Sequence, residues 1–151
     1  MIPTSAILKA KLLIVDDQLA NVLLLERLLR GAGYSAISST QNPTAVVDLH
    51  RQNRYDLILL DLKMPEMDGF QVMEGLKDIE TEGILPVLVI TAQPNEKLRA
   101  LNVGALDFLS KPFDIAEVLA RVHNLLQVRL LTLETQKLYK QVLVDKATVF
   151  L

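Results

Sequence analysis

The 151 residues contain no cysteine, no tryptophan and only two histidines. Without cysteine there can be no disulfide framework and no thiolate metal site. His50 and His123 are too isolated to suggest a zinc centre, and both are expected on helix surfaces. No charge of one sign dominates. The 16 lysines and arginines and 18 aspartates and glutamates leave a net charge of −2 and are mixed along the chain, so nothing draws the protein directly to nucleic acid or to an anionic membrane surface. No stretch reaches the roughly 18 uncharged apolar residues of a membrane span. The opening "MIPTSAILKAKLLIVDD" lacks the basic leader and small-residue cleavage site of a secretory signal. A soluble cytoplasmic protein is the expectation.

What the chain does have is apolar material: half of its residues are hydrophobic, enough for one sizeable core at this length. Short apolar runs alternate with longer segments of helical period. "KLLIV" (11–15) reads as a buried strand, Ala20 to Arg30 as a helix stopped by Gly31 and Gly33, and "YSAIS" (34–38) as a second strand. Asn42 or Pro43 opens a helix to about Gln52, "YDLILL" (55–60) is the third strand, and a helix follows from about Phe70 to Ile79. "PVLVIT" (86–91) is strand four and "EKLRALNVG" a short helix ended by Gly104. "DFLS" (107–110) is strand five, after which Asp114 caps a final helix.

Strands alternating with helices, the strands themselves continuously apolar, predict a parallel sheet covered on both faces. The fold class is α/β, doubly wound. In such sheets the loops at the carboxyl ends of the strands form the ligand crevice.

The final helix is longer than the domain needs. From Ile115 to about Val144 no glycine or proline interrupts it, and as a helix it would span roughly 45 Å. The domain is expected over residues 10–128. Residues 129–151 are expected to be a helical extension, linker or dimerisation helix, although Leu126, Leu130, Leu133, Leu138 and Val142 keep helical spacing only loosely and Thr132, Gln136 and Lys137 break a strict heptad. So short an extension cannot form a second domain, which leaves open that the chain is a piece of a longer protein.

Polar residues gather at the predicted strand ends: Asp16 and Asp17 after strand one, Asp61 after strand three, Thr91 at the end of strand four, and Ser110, Lys111 and Pro112 after strand five. If strands one and three are neighbours, in the order 2-1-3-4-5, three carboxylates meet, and each like-charge pair at about 5 Å costs roughly 3 kcal/mol at an effective dielectric near 20. They need a cation. Hard oxygen donors without histidine or cysteine suit Mg²⁺. Taken singly, Asp17 would be a helix N-cap, Thr91 a strand-end residue and Lys111 a solvated charge. Together they are the parts needed to receive a phosphoryl group: a carboxylate that can attack phosphorus, a metal, a hydroxyl and an ammonium.

"LLIVDD" (12–17), "DLILLDLKMPEMDG" (56–69), "VLVITA" (87–92) and "GALDFLSKPF" (104–113), in this order and spacing, closely resemble the receiver domain of two-component response regulators. The resemblance covers about residues 10 to 128 and implies the flavodoxin-like receiver fold. It makes Asp61 the phosphoacceptor, Asp17 and Asp61 direct Mg²⁺ ligands, the Lys63 backbone carbonyl a third, and Asp16 a water-mediated one. Thr91 and Lys111 would bind the phosphoryl oxygens, Phe108 would be the switch aromatic, and the Lys111–Pro112 bond would be cis. The donor would be a histidine kinase or a phosphotransfer protein, the chemistry limited to self-phosphorylation and autodephosphorylation, and the output a homodimer or a C-terminal effector domain reached through the final helix. Receivers followed by such a helix resemble those joined to domains that make or degrade cyclic dinucleotides.

Two departures are informative. Phe108 lacks a tyrosine's hydroxyl, so packing alone would choose its rotamer. The side chains of Lys63 and Gln93 flank the site and should tune the access of water, and small Ala92 leaves room for a phosphodonor.

The alternative from another class is a magnesium-dependent aspartyl-phosphate phosphatase or phosphotransferase of the haloacid-dehalogenase type. It would place the nucleophile after the first strand with an aspartate two residues on, whereas Asp61 follows the third and position 63 is lysine. A scaffold of the same fold without phosphorylation has little support when Asp16, Asp17, Asp61, Thr91 and Lys111 are all present. An FMN-binding flavodoxin would not offer "DDQ" to a phosphate.

Overall fold

The computed structural model describes residues 2–80, 85–92 and 94–149. Five parallel strands, β1 (Leu12–Val15), β2 (Ile37–Thr40), β3 (Leu57–Leu60), β4 (Val87–Thr91) and β5 (Asp107–Ser110), form one sheet in the order β2-β1-β3-β4-β5. The expected doubly wound topology is the one found. Among the described residues six α-helices accompany the strands: α1 (Thr4–Leu8), α2 (Leu19–Gly31), α3 (Val46–Asn53), α4 (Gly69–Ile79), α5 (Lys97–Val103) and α6 (Ile115–Val149).

Side chains alternate across the strands, so β1, β3, β4 and β5 each feed two cores. Leu13, Val15, Ile58, Leu60, Val87, Val89 and Phe108 pack with α3, α4 and α5. Leu12, Ile14, Leu57, Leu59, Leu88, Ile90 and Leu109 pack on the other face with α1, α2 and the first half of α6. Burial on both faces explains why β1 and β3 are apolar at every position and β4 at every position but its last, Thr91. It also explains how α1, absent from the sequence reading, holds its place: Ile7 is buried in the second core.

Two sequence expectations need correction. Strand two starts at Ile37, three residues later than predicted. Tyr34 belongs to the stop signal of α2: its N–H reaches the Leu29 carbonyl at 3.1 Å, and the Gly33 N–H reaches Arg30 at 3.0 Å, with Gly33 at φ 105°. This is the paired hydrogen-bond pattern that ends helices on a left-handed glycine, and it takes Tyr34 into the core instead of the sheet. His50 is the second correction. It is 1% exposed, not on the helix surface. Its Nδ1 accepts the Tyr55 N–H at 3.1 Å, so the proton of the neutral ring sits on Nε2, which lies 3.2 Å from Glu80 Oε2. Burial pushes the His50 pKa down and the Glu80 carboxylate opposes that shift.

The last helix runs unbroken for 35 residues, about 50 Å at 1.5 Å per residue. Val118, Val122 and Leu126 are fully buried against the sheet, while Leu138, Val142 and Leu143 stand exposed. Asp114 caps it, accepting the Ala116 N–H at 2.8 Å. No helix among the described residues is long and apolar enough to cross a membrane.

Candidate phosphoacceptor site

The register places the acidic residues. Val15 pairs with Leu60, so the residues that follow, Asp16 and Asp61, leave adjacent strands side by side, and the Asp61 N–H bonds to the Val15 carbonyl at 3.0 Å. Thr91 pairs with Ser110 on the other side. The Lys111 N–H donates to the Thr91 carbonyl at 2.8 Å, which ties the loop after β5 to the end of β4. The Lys111–Pro112 peptide is cis. Four strand ends thus converge on one crevice.

Asp16, Asp17 and Asp61 each present an oxygen such that the three atoms lie within 4.8 Å of one another. Lys111 Nζ enters this cluster at 2.9 Å from Asp16 Oδ2 and 3.5 Å from Asp61 Oδ2. Asp61 is 8% exposed and Thr91 only 1%. Burial raises the Asp61 pKa. The Lys111 charge opposes that rise, Asp16 adds to it, and hydrogen bonds from the Lys63 N–H and the Thr91 hydroxyl favour the carboxylate. One ammonium among three carboxylates leaves negative charge uncompensated, and every donor atom is a hard oxygen. The cluster fits a hard divalent cation.

Asp17 does not cap a helix as it would if read alone. Gln18 occupies the N-cap of α2 without a side-chain bond, and the loop is held by the Gln18 N–H on Asp16 Oδ1 at 2.9 Å and by Gln41 Nε2 on the Asp17 carbonyl at 3.0 Å. Asp17 is therefore left to face the cluster. Phe108 lies buried between the sheet and α5. The Lys63 side chain, Ala92 and Pro112 are exposed around the rim. Gln93, expected beside the site, lies outside the described residues.

Three supports escaped the sequence reading. Gly69 begins α4 directly against the end of β3: its N–H donates to the Leu62 carbonyl at 2.8 Å, and a Cβ there would sit 2.8 Å from the Asp61 carbonyl oxygen and 2.8 Å from Leu62 Cα. Only glycine allows this approach. Asp68 and Gln71 form a reciprocal capping box for the same helix, and the spacing Asp-x-x-Gln before an apolar face was the signal that could have revealed it. Arg99 of α5 lies over the Phe70 ring, 3.8 Å from its centroid, linking α4 to α5 by a contact that no spacing rule predicts.

A parallel 2-1-3-4-5 sheet with an acidic triad, a threonine and a lysine at its carboxyl edge defines an aspartate-centred receiver. The chain belongs to the response regulator receiver domain family, whose match covers residues 12–123. Among curated proteins it is 41% identical over 125 residues to the response regulator PleD of Caulobacter vibrioides (strain NA1000 / CB15N), spanning 82% of this chain and 27% of that protein. It is 40% identical over 119 residues to the response regulator MprA of Mycobacterium sp. (strain KMS), spanning 78% of this chain and 50% of that one. The chain thus covers half or less of these relatives. Among solved structures it is similar to the chemotaxis protein CheY4 of Vibrio cholerae, with a TM-score of 0.71, 27% identity, and coverage of 78% of this chain and 98% of that one. The receiver domain of sensor histidine kinase PA1611 from Pseudomonas aeruginosa PAO1 has a TM-score of 0.71 and 26% identity, over 79% of this chain and 98% of that one, and carries a magnesium ion in its active site cleft.

Proposed function

We propose that this receiver domain is a phosphorylation-dependent switch in which Asp61 accepts the phosphoryl group. The observation that carries the reading is the convergence on Asp61: a buried carboxylate with Lys111 Nζ at 3.5 Å, buried Thr91 at the end of the adjacent strand β4, and Asp16 and Asp17 within the same 4.8 Å cluster. Asp16, Asp17, Asp61 and the Lys63 carbonyl would hold Mg²⁺. Bound there, the ion would offset the charge of the carboxylates and of the incoming phosphoryl oxygens.

In the transfer, an Asp61 carboxylate oxygen forms a bond to phosphorus while the bond from phosphorus to the donor breaks, and its electron pair leaves with the donor group. The donor is a histidine kinase, a phosphotransfer protein or a small acyl phosphate. Lys111 stands where it can transfer its ion pair from Asp61 to a phosphoryl oxygen, and Thr91 can donate its hydroxyl to another. Moving Thr91 toward the new group vacates space beside β5, into which Phe108 packs further without any hydroxyl to redirect it. The face formed by α5, β5 and α6 then changes, and α6 carries the change to a partner or an effector domain. A partial population shift suffices, since moving from 1:99 to 99:1 would take roughly 5.5 kcal/mol.

The test is incubation with acetyl phosphate and Mg²⁺ followed by intact mass. Wild type should gain one phosphoryl group and Asp61→Asn none. Equal uptake by both would remove Asp61 from the role.

A further inference from the structure

Between the first two strand-end loops one peptide unit is held at both of its polar atoms. It joins Asp17 to Gln18, the N-cap of α2. Its N–H, on Gln18, donates to Asp16 Oδ1 at 2.9 Å, and its carbonyl, on Asp17, accepts from Gln41 Nε2 at 3.0 Å. Asp16 is tied in turn to the neighbouring strand, its own N–H donating to the Thr40 carbonyl at 3.3 Å. A peptide plane fixed at one atom can still swing about the bonds on either side of it, whereas one fixed at both atoms cannot. The Cα of Asp17 lies in that plane, so the two bonds set the direction in which its carboxylate leaves the backbone.

Gln41 is itself held in place. It lies in the turn after β2, where Thr40 Oγ1 accepts the Asn42 N–H at 3.1 Å, Asn42 Oδ1 accepts the Thr44 N–H at 3.0 Å, and Pro43 is buried. The turn is a fixed base for a long side chain. The contact with Asp17 is open to water: Gln41 is exposed, and with Asp17, Pro65 and Glu66 it lines a cleft of about 250 Å³. A bond so exposed adds little to folding, since water replaces it when it breaks. What water does not replace is the direction imposed on Asp17.

We propose that Gln41 is a positioning residue for the metal site, holding the Asp17 carboxylate in the orientation that Mg²⁺ binding needs. The proposal rests on the reading above in which Asp17 is a metal ligand, and deepens it with a residue that acts through another. Such preorganisation shows in affinity, because a segment that is loose when free must be ordered on binding. Groups that orient a metal ligand typically change affinity by about 10- to 100-fold when removed. Gln41 acts through the Asp17 backbone and not through its carboxylate, so the expected effect is smaller, about three- to tenfold.

Gln41→Met keeps the length of the side chain and removes its donor. A Mg²⁺ titration followed by amide NMR shifts should give a dissociation constant about three- to tenfold above wild type. Gln52→Met, at an exposed glutamine near the end of α3, should leave it unchanged. With acetyl phosphate as donor, the Mg²⁺ concentration for half-maximal phosphoryl uptake should rise by the same factor, while the plateau rate stays within about twofold of wild type. In chelator the Gln18 amide of Gln41→Met should exchange with solvent faster than in wild type, at an unchanged urea midpoint. Equal Mg²⁺ affinity in Gln41→Met and wild type overturns the proposal. So does a lowered urea midpoint with faster exchange throughout α2, since Gln41 is then a structural support of the loop. A wild type that binds no Mg²⁺ removes the metal reading and the proposal with it. Intact mass on the same samples reports phosphoryl uptake by itself, so failure of the phosphoacceptor reading and failure of the Gln41 role are distinguished.

Discussion

Replacing the proposed phosphoacceptor should make the metal-free protein more stable, although it abolishes the chemistry. In the folded state Asp61 shares a 4.8 Å cluster with Asp16 and Asp17. At that separation and an effective dielectric of about 20, each like-charge pair costs about 3.5 kcal/mol. Lys111 Nζ at 3.5 Å from Asp61 returns about 4.7 kcal/mol on the same scale. The balance for the Asp61 charge is unfavourable by about 2 kcal/mol, reduced to about 1 to 2 kcal/mol because Asp17 is partly open to solvent. We therefore predict that Asp61→Asn, nearly isosteric and neutral, melts about 2 to 8 °C above wild type in chelator. Magnesium should narrow or reverse the difference. A ligand at tenfold over its dissociation constant adds about 1.4 kcal/mol to the form that binds it, and wild type binds better. The assay is thermal unfolding followed by circular dichroism, with chelator and with Mg²⁺. A variant that melts below wild type in chelator, or a wild type unmoved by Mg²⁺, refutes the electrostatic argument.

Three further predictions follow from the same geometry. Lys111→Met should destabilise the metal-free protein by about 1 to 3 kcal/mol, the opposite sign to Asp61→Asn, because it leaves Asp16 and Asp61 without their cation; urea titration in chelator measures it, and an unchanged midpoint speaks against the ion pair. Gly69→Ala should cost about 1 to 3 kcal/mol by overpacking and slow phosphoryl uptake, since the new Cβ displaces the backbone at Asp61 and Leu62; normal stability with normal uptake would show that the loop yields freely. His50 carries the pH dependence. Its folded pKa is below the usual value of about 6.5, so the unfolded chain binds more protons in the window between the two. The contribution of the neutral ring is therefore complete above about 6.5 and is lost as pH falls toward the folded value. His50→Gln should flatten that slope in urea titrations run across the window, and an unchanged slope assigns the pH dependence elsewhere.

How much of this was legible beforehand varies by element, for physical reasons. β1, β3 and β4 match the sequence reading to within two residues at either end, because strands buried on both faces are apolar almost throughout and a polar residue marks the end of each; β5 matches residue for residue, its buried pair Phe108 and Leu109 flanked by polar Asp107 and Ser110. β2 slipped because it lies at the sheet edge, where its middle residues are exposed and carry no hydrophobic signal, while Tyr34 was drawn into the core by the turn that stops α2. His50 was misplaced because a histidine on a short helix reads as solvated until the neighbours that satisfy its two nitrogens, Tyr55 and Glu80, are known. The closeness of Gly69 to the Asp61 carbonyl follows only from how α4 starts against β3.

The sequence alone determined the fold class, the order of its elements and the identities of the chemical groups, because apolar periodicity and strand-end residues are local properties. Tertiary structure decided which groups meet. The register of β1 on β3 brings the three carboxylates together, the loop after β5 delivers Lys111 between two of them, and Gly69 lets α4 close under Asp61. Packing also sorted the apolar residues of α6. Val118, Val122 and Leu126 cover the sheet, whereas Val128, Leu131, Leu138, Tyr139, Val142, Leu143 and Val144 stay exposed, since a helix can bury a face only as far along its length as the domain reaches.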